Sequence, residues 1–258
     1  MRARYLLLAI AAYLVTLLVT APPDWAAFLI NRMSSGALVL ARPAGSFWRG
    51  RGRLYLNNPR PSPRPLLLGT LSWRFDPATL LLGRVRAMLA LAGPIRAHVT
   101  VTRAWNQLMV HELSVTAPAS RLASFDASLR VLKPSGMVRL EARTLVLAPA
   151  RSSGTGDLTW TAAGTALSTL KPLGDYRVQL QGAGTRMRIT LQTLRGVLGL
   201  SGQGQWDDRG AFRLRGLVTA SGTDPRALRL VRLLGRRLRP HVHAFSLMAT
   251  TPPWSELF

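Results

Sequence analysis

The chain has 258 residues, 34 basic against 11 acidic, for a formal net charge of +23, and no cysteine. That length suits one large domain or two small ones, and the absent cysteine excludes a disulfide scaffold, a CxxC redox centre and a cysteine-ligated zinc site. All the basic residues but Lys133 and Lys171 are arginine, and they run along the whole chain. Nucleic-acid binding calls instead for local clustering with interleaved aromatics, so the charge fits an anionic membrane surface better.

Arg2 and Arg4 precede an uncharged run from Tyr5 to Ala21. As a helix these seventeen residues would span about 26 Å. That approaches a hydrocarbon core about 30 Å thick, with Tyr5 and Trp25 at the two interfaces. The two arginines keep the N-terminus in the cytoplasm and place everything after Ala21 in a bacterial periplasm. Val19-Thr20-Ala21 also fits a signal-peptide cleavage pattern, but Pro22 and Pro23 follow directly and hinder cleavage. Residues 1–21 are therefore read as an uncleaved signal anchor and residues 22–258 as a periplasmic domain.

Asp24 can cap a short helix, WAAFLINRM, ending near Ser34-Ser35-Gly36. Beyond it the period changes from helical to two. Residues 138–141 (VRLE), 187–192 (MRITLQ) and 211–218 (AFRLRGLV) alternate apolar and polar side chains, as half-buried strands do. The 22 glycines and 17 prolines favour many short elements. No helical segments of βαβ length separate the strands, so the sheet is expected to be antiparallel with one apolar face. The proline-rich run from Asn57 to Pro65 reads as a loop.

Near the C-terminus, Asp224-Pro225 offers an N-cap and an N1 proline for a helix over about 225–238. Ala227, Leu230, Val231, Leu234 and Leu238 share one face; Arg226, Arg229, Arg232, Arg236 and Arg237 lie largely elsewhere. Such a helix could lie on lipid headgroups. The preferred reading is that it covers the apolar sheet face.

A phrase recurs. GTLSW (Gly69 to Trp73) and GDLTW (Gly156 to Trp160) are 87 residues apart, and LLGRVRAMLALAG from Leu81 aligns with PLGDYRVQLQGAG from Pro172 if four residues are inserted. GQGQW, with Gly204 and Trp206, is a weaker relative. Approximate repeats over 45–145 and 146–220 follow, each a unit that buries its apolar face only against its neighbour. Each glycine is expected at a tight turn or bulge, and Trp48, Trp73, Trp160 and Trp206 as strand anchors in the core. Pro172 to Asp175, with Gly174, should form a turn matching the one at Gly83, and Tyr176, Val178 and Leu180 a strand face. The fold class is thus mainly β: a curved antiparallel sheet with one or two short helices after the anchor.

These motifs, with GSFWRGRGRLYL (Gly45 to Leu56), LSWRFDPATLLLG (Leu71 to Gly83), LRGVLGLSGQGQWDDRG (Leu194 to Gly210) and ALRLVRLLG (Ala227 to Gly235), give the chain its resemblance. It resembles the general (type II) secretion pathway protein N family, an inner-membrane component of the bacterial type II secretion system. The resemblance implies a single-pass protein with a periplasmic β-rich domain, associated with the inner-membrane platform and, as a further candidate, the outer-membrane secretin. It implies no catalytic residues. Glycine-tryptophan strand starts also occur in AsmA-like lipid-handling proteins, which gives a second reading: an apolar β-groove for acyl chains.

No reacting constellation stands out. Asp207-Asp208 sits in WDDRG, a natural hairpin turn. His241-Val-His243 could be half a metal site, but such a site needs three or four ligands, and the expectation is two exposed histidines; His98 and His111 stand alone. GQGQW lacks the lysine and helix of a phosphate loop, and no GxSxG elbow occurs. The chain reads as a non-enzymatic protein without cofactor, metal, nucleic-acid partner or small-molecule substrate.

Overall fold

Strand-period alternation governs the structure, a computed structural model that describes residues 16, 20–57, 65–105, 107–122, 131–148, 151–166, 168–207, 209–220, 225–234, 236–239 and 241–250. The anchor segment lies outside these residues apart from 16, 20 and 21, as do residues 58–64 of the proline-rich run, Asp208 and Asp224. Among the described residues no helix is long and apolar enough to cross a membrane. The chain divides into two units, Met1–Gly93 and Pro94–Phe258.

The first unit opens with α1 (Asp24–Met33). Pro23, not Asp24, stands at its N-cap and makes no side-chain cap; Asp24 lies in the first turn, where its charge complements the helix dipole. The Gly36 N–H returns to Asn31 O at 2.8 Å, ending the helix where the sequence placed its end. Then β1 (Leu38–Gly45), β2 (Arg49–Leu56), β3 (Leu66–Asp76) and β4 (Val85–Ala92) form an antiparallel meander, each strand beside its predecessor. A 3-10 helix (Pro77–Leu82) links β3 to β4. Asp76 starts it by accepting the Ala78 N–H at 3.1 Å, and Gly83 ends it with φ 65°.

In β2, RGRGRLYL, arginines face solvent and the opposite face is glycine, glycine, leucine, leucine. The missing side chains leave room for a neighbour's ring. Gly50 is registered against Trp73, and a Cβ on Gly50 would lie 2.9 Å from Trp73 Cε2 and 2.7 Å from Ala44 O. The indole lies across the backbone of β2 and is only 3 % exposed. Leu40, Leu54, Leu68 and Leu71 complete this core, each worth about 1.5–3 kcal/mol when fully buried.

The second unit holds β5 (Arg96–Ala104), β6 (Gln107–Pro118), a short α2 (Ala119–Leu122), β7 (Ser135–Ala148), β8 (Arg151–Gly164), β9 (Gly174–Gly184), β10 (Arg186–Gly196), β11 (Leu198–Asp207) and β12 (Ala211–Ala220). After them come α3 (Pro225–Leu234), β13 (Arg236–Arg239) and β14 (Val242–Thr250). All pairings are antiparallel between chain neighbours until β12, which pairs with β14, leaving β13 outside it. The alternating segments fall in β7, β10 and β12: Met187, Ile189, Leu214 and Val218 are buried, and Arg188, Arg213 and Arg215 exposed.

The terminal helix is shorter than the apolar spacing predicts. It stops at Leu234, and Leu238 with Arg236 and Arg237 belongs to β13. α3 packs Leu230 and Val231 against Leu173, Leu198 and Val218, with Leu170, Leu200, Ala220 and Phe245 around them. It therefore covers one end of the apolar face. Farther along, the registered row Leu140, Leu158, Val178 and Leu191 is half-buried.

Candidate functional site

The repeated tryptophans mark the stations where successive strands are locked together. Trp73 Nε1 donates to Phe47 O just ahead of β2, and Trp160 Nε1 to Ser135 O at the start of β7, both at 2.9 Å. Each indole thus ties its strand to the beginning of the strand before it. Gly69 and Gly156 both border a register shift with the preceding strand, as the bulge reading expects. They differ in freedom: Gly69 has φ 152° with Ala92 O close to where its Cβ would be, whereas a Cβ on Gly156 would meet Ala142 Cβ at an ordinary 3.6 Å.

On the next strand Trp73 is registered against Leu89 and Trp160 against Tyr176. Leu89 to Tyr176 is 87 residues, the same as Trp73 to Trp160, so the spatial repeat needs no insertion. The alignment of Gly83 with Gly174 is therefore out of register with the structure. Gly83 closes a 3-10 helix, while Gly174 is the first residue of β9.

The expected turn over Pro172 to Asp175 is also overturned. The Lys171–Pro172 peptide is cis, and the strand already begins at Gly174. A Cβ on Gly174 would lie 2.6 Å from Arg195 O and 3.2 Å from Gly196 Cα. Close backbone approach, not turn geometry, calls for glycine here. Leu173 immediately before it enters the core under α3.

Asp175 and Tyr176 extend this lock. The Asp175 carboxylate accepts the Ala162 N–H at 2.7 Å and pairs with Arg195 Nε. The bond from Ala162 first, and that from Arg195 second, hold its pKa below the usual carboxylate range against a smaller opposing effect of burial. The Tyr176 hydroxyl donates to Leu198 O at 3.0 Å. Burial, then the neighbouring Asp175 charge, push its pKa up to about 12. Four consecutive residues, Leu173 to Tyr176, thus join β8, β9, β10, β11 and the α3 core. Asp175 and its part in the lock had no distinguishing signal in the sequence.

The other two tryptophans occupy different settings. Trp48 is in the loop between β1 and β2, not in a strand, because the chain must reverse between Gly45 and Arg49. Its carbonyl accepts the Phe75 N–H at 2.7 Å, and Phe47 beside it stacks on Phe75 at 5.1 Å. Trp206 stands next to last in β11, half-buried, registered between Met187 and Phe212. Gly204 precedes it within the strand, where a Cβ would press on Arg213 O.

The polar candidates do not converge. Asp207 accepts the Arg209 and Ala211 N–H groups at 3.1 and 2.8 Å, which is the turn role. His241 is exposed before β14, but His243 is buried, contrary to the expectation of two exposed rings. Strand alternation turns His243 onto the inner face beside Val218, and among the described residues its Nδ1 has no partner. Among the described residues no group of three metal-ligating side chains forms.

Comparison with known protein families matches residues 36–243 to the family described as type II secretion system (T2SS), protein N. No curated protein and no solved structure matches. The matched span runs from the approach to β1 into β14 and takes in both tryptophan stations and the Leu173–Tyr176 lock. The chain belongs to the type II secretion system protein N family, and is a component of that secretion system.

Proposed function

We propose that this chain is a non-enzymatic structural subunit of the secretion machinery, anchored in the bacterial inner membrane by residues 5–21 with both units in the periplasm. The family match over residues 36–243 carries the reading. Its partners are other inner-membrane platform proteins, with the secretin as a further candidate. Docking uses sheet edges, since a strand with one partner leaves a row of N–H and C=O groups available for strand addition. Among the described strands β1 pairs only with β2, and β13 only with β14.

The test is a deletion strain complemented with an affinity-tagged chain. Secreted exoproteins should fall on deletion, and platform proteins should co-purify in mild detergent. A normal secretome together with no platform protein on the tagged chain refutes the proposal. One observation favours a second reading, the lipid groove: α3 leaves the Leu140–Leu158–Val178–Leu191 row half-buried. Mass spectrometry of the purified chain decides it, with stoichiometric phospholipid supporting a groove and its absence dismissing one.

A further inference from the structure

Residues 1–93 carry twelve arginines against two acids, Asp24 and Asp76, and no lysine or glutamate. Sheet register concentrates part of this excess. Arg49, Arg51 and Arg53 alternate along β2 and are all exposed, on the face opposite Gly50, which receives Trp73, and Gly52, which lies under Leu40. Arg74 on β3, also exposed, is registered directly against Arg49. Arg51 faces Ser72 and Arg53 faces Thr70, and beyond these β4 contributes Met88, Ala90 and Ala92.

No acid lies in any of these three rows. Asp76, one row farther, is registered against Arg86 and is engaged with the Ala78 N–H. Among the described residues none of the four arginines forms an ion pair. Like charges directly opposite one another on a sheet are destabilising, so the arrangement calls for an anion from outside the chain.

The chain path points to its source. Ala21, the last residue of the proposed anchor, accepts a hydrogen bond from the Phe47 N–H at 2.9 Å. Arg49 is two residues farther on, so the arginine face starts where the chain leaves the apolar segment. α1, which follows directly, presents Trp25 and Phe28 51 % and 64 % exposed, side chains of the kind that settle at a membrane interface.

We infer that the Arg49–Arg51–Arg53–Arg74 face docks the first unit onto anionic phospholipid headgroups of the membrane that holds the chain. This rests on the anchor reading. Each arginine near an anionic surface contributes about 1 kcal/mol, a factor of about five in the docked-to-undocked ratio.

The chain has no cysteine, so Ser72→Cys gives a single position for an environment-sensitive fluorophore in the middle of the face. The labelled full chain is reconstituted in nanodiscs of phosphatidylcholine alone or with phosphatidylglycerol. The emission should shift to the blue with phosphatidylglycerol only, and high salt should reverse the shift. Replacing the four arginines by glutamine should remove it, and replacing them by lysine should keep it. A label indifferent to phosphatidylglycerol in a chain that does enter the nanodisc overturns the proposal and leaves the anchor standing. A chain that never enters overturns both. A response to purified platform proteins but not to phosphatidylglycerol makes the face a protein-docking surface and also refutes the proposal.

Discussion

Gly50→Ala tests whether Trp73 needs a strand without a side chain beside it. The new methyl would approach Trp73 Cε2 at 2.9 Å and Ala44 O at 2.7 Å, neither an acceptable contact. The ring cannot simply retreat, because its N–H is held by Phe47 O. Overpacking of this kind costs about 2–3 kcal/mol. At roughly 2–4 °C per kcal/mol for a chain of this size, the melting temperature should fall by about 4–12 °C. Trp73→Leu loses the indole bond and buried area, but in that background the added methyl should cost distinctly less, with Ala44 O as the residual obstacle. The assay is a double-mutant cycle read by circular dichroism during urea unfolding in detergent. Strict additivity of the two substitutions would refute the ring-over-glycine argument.

Gly174→Ala should destabilise by about 2–3 kcal/mol, because the new methyl meets Arg195 O, whereas Gly156→Ala should be neutral or slightly stabilising because the new methyl makes only ordinary contacts; urea midpoints distinguish the two. Tyr176→Phe should cost about 1–2 kcal/mol by leaving Leu198 O without its donor, with native circular dichroism retained. The Asp175 carboxyl is held below its ordinary 3.8. The unfolded chain therefore binds that proton more readily, and the stabilisation is complete above the ordinary carboxylate range and fades as pH falls through the lowered folded value. Asp175→Asn should lower the urea midpoint at neutral pH and flatten this acid limb; an unchanged acid limb would show that another carboxylate controls it.

The sheet was legible wherever one strand face is apolar in its own letters. Met187 and Ile189, or Leu214 and Val218, announce their strands because large side chains alternate with arginine and glutamine. In β2 the inward positions begin with Gly50 and Gly52, which carry no hydrophobic signal, and the apolar volume comes from Trp73 on the next strand and Leu40 on the previous one. The local gathering of charge was hidden for the same reason. Arg49, Arg51, Arg53 and Arg74 look dispersed until alternation and register place them on one face. The tryptophan repeat was readable from GTLSW and GDLTW, but the likeness of Gly83 to Gly174 misled, since glycine serves both a helix end and a close strand contact. His243 was expected outside because no further metal ligand stood near it, and its place opposite Val218 follows only from the β12–β14 register.

The order of strands has a kinetic side. Within each unit nearly every strand finds its partner in the one made just before it, so a chain arriving N-terminus first can close each pair as soon as the next strand emerges. Such local closure costs little loop entropy and keeps few unpaired edges waiting. The arrangement breaks only at the C-terminal end, where β13 pairs with the later β14, and β14 must reach across to β12. Folding of the second unit therefore finishes with the joint arrival of α3, β13 and β14, and a chain truncated before Val242 would present the β12 edge bare.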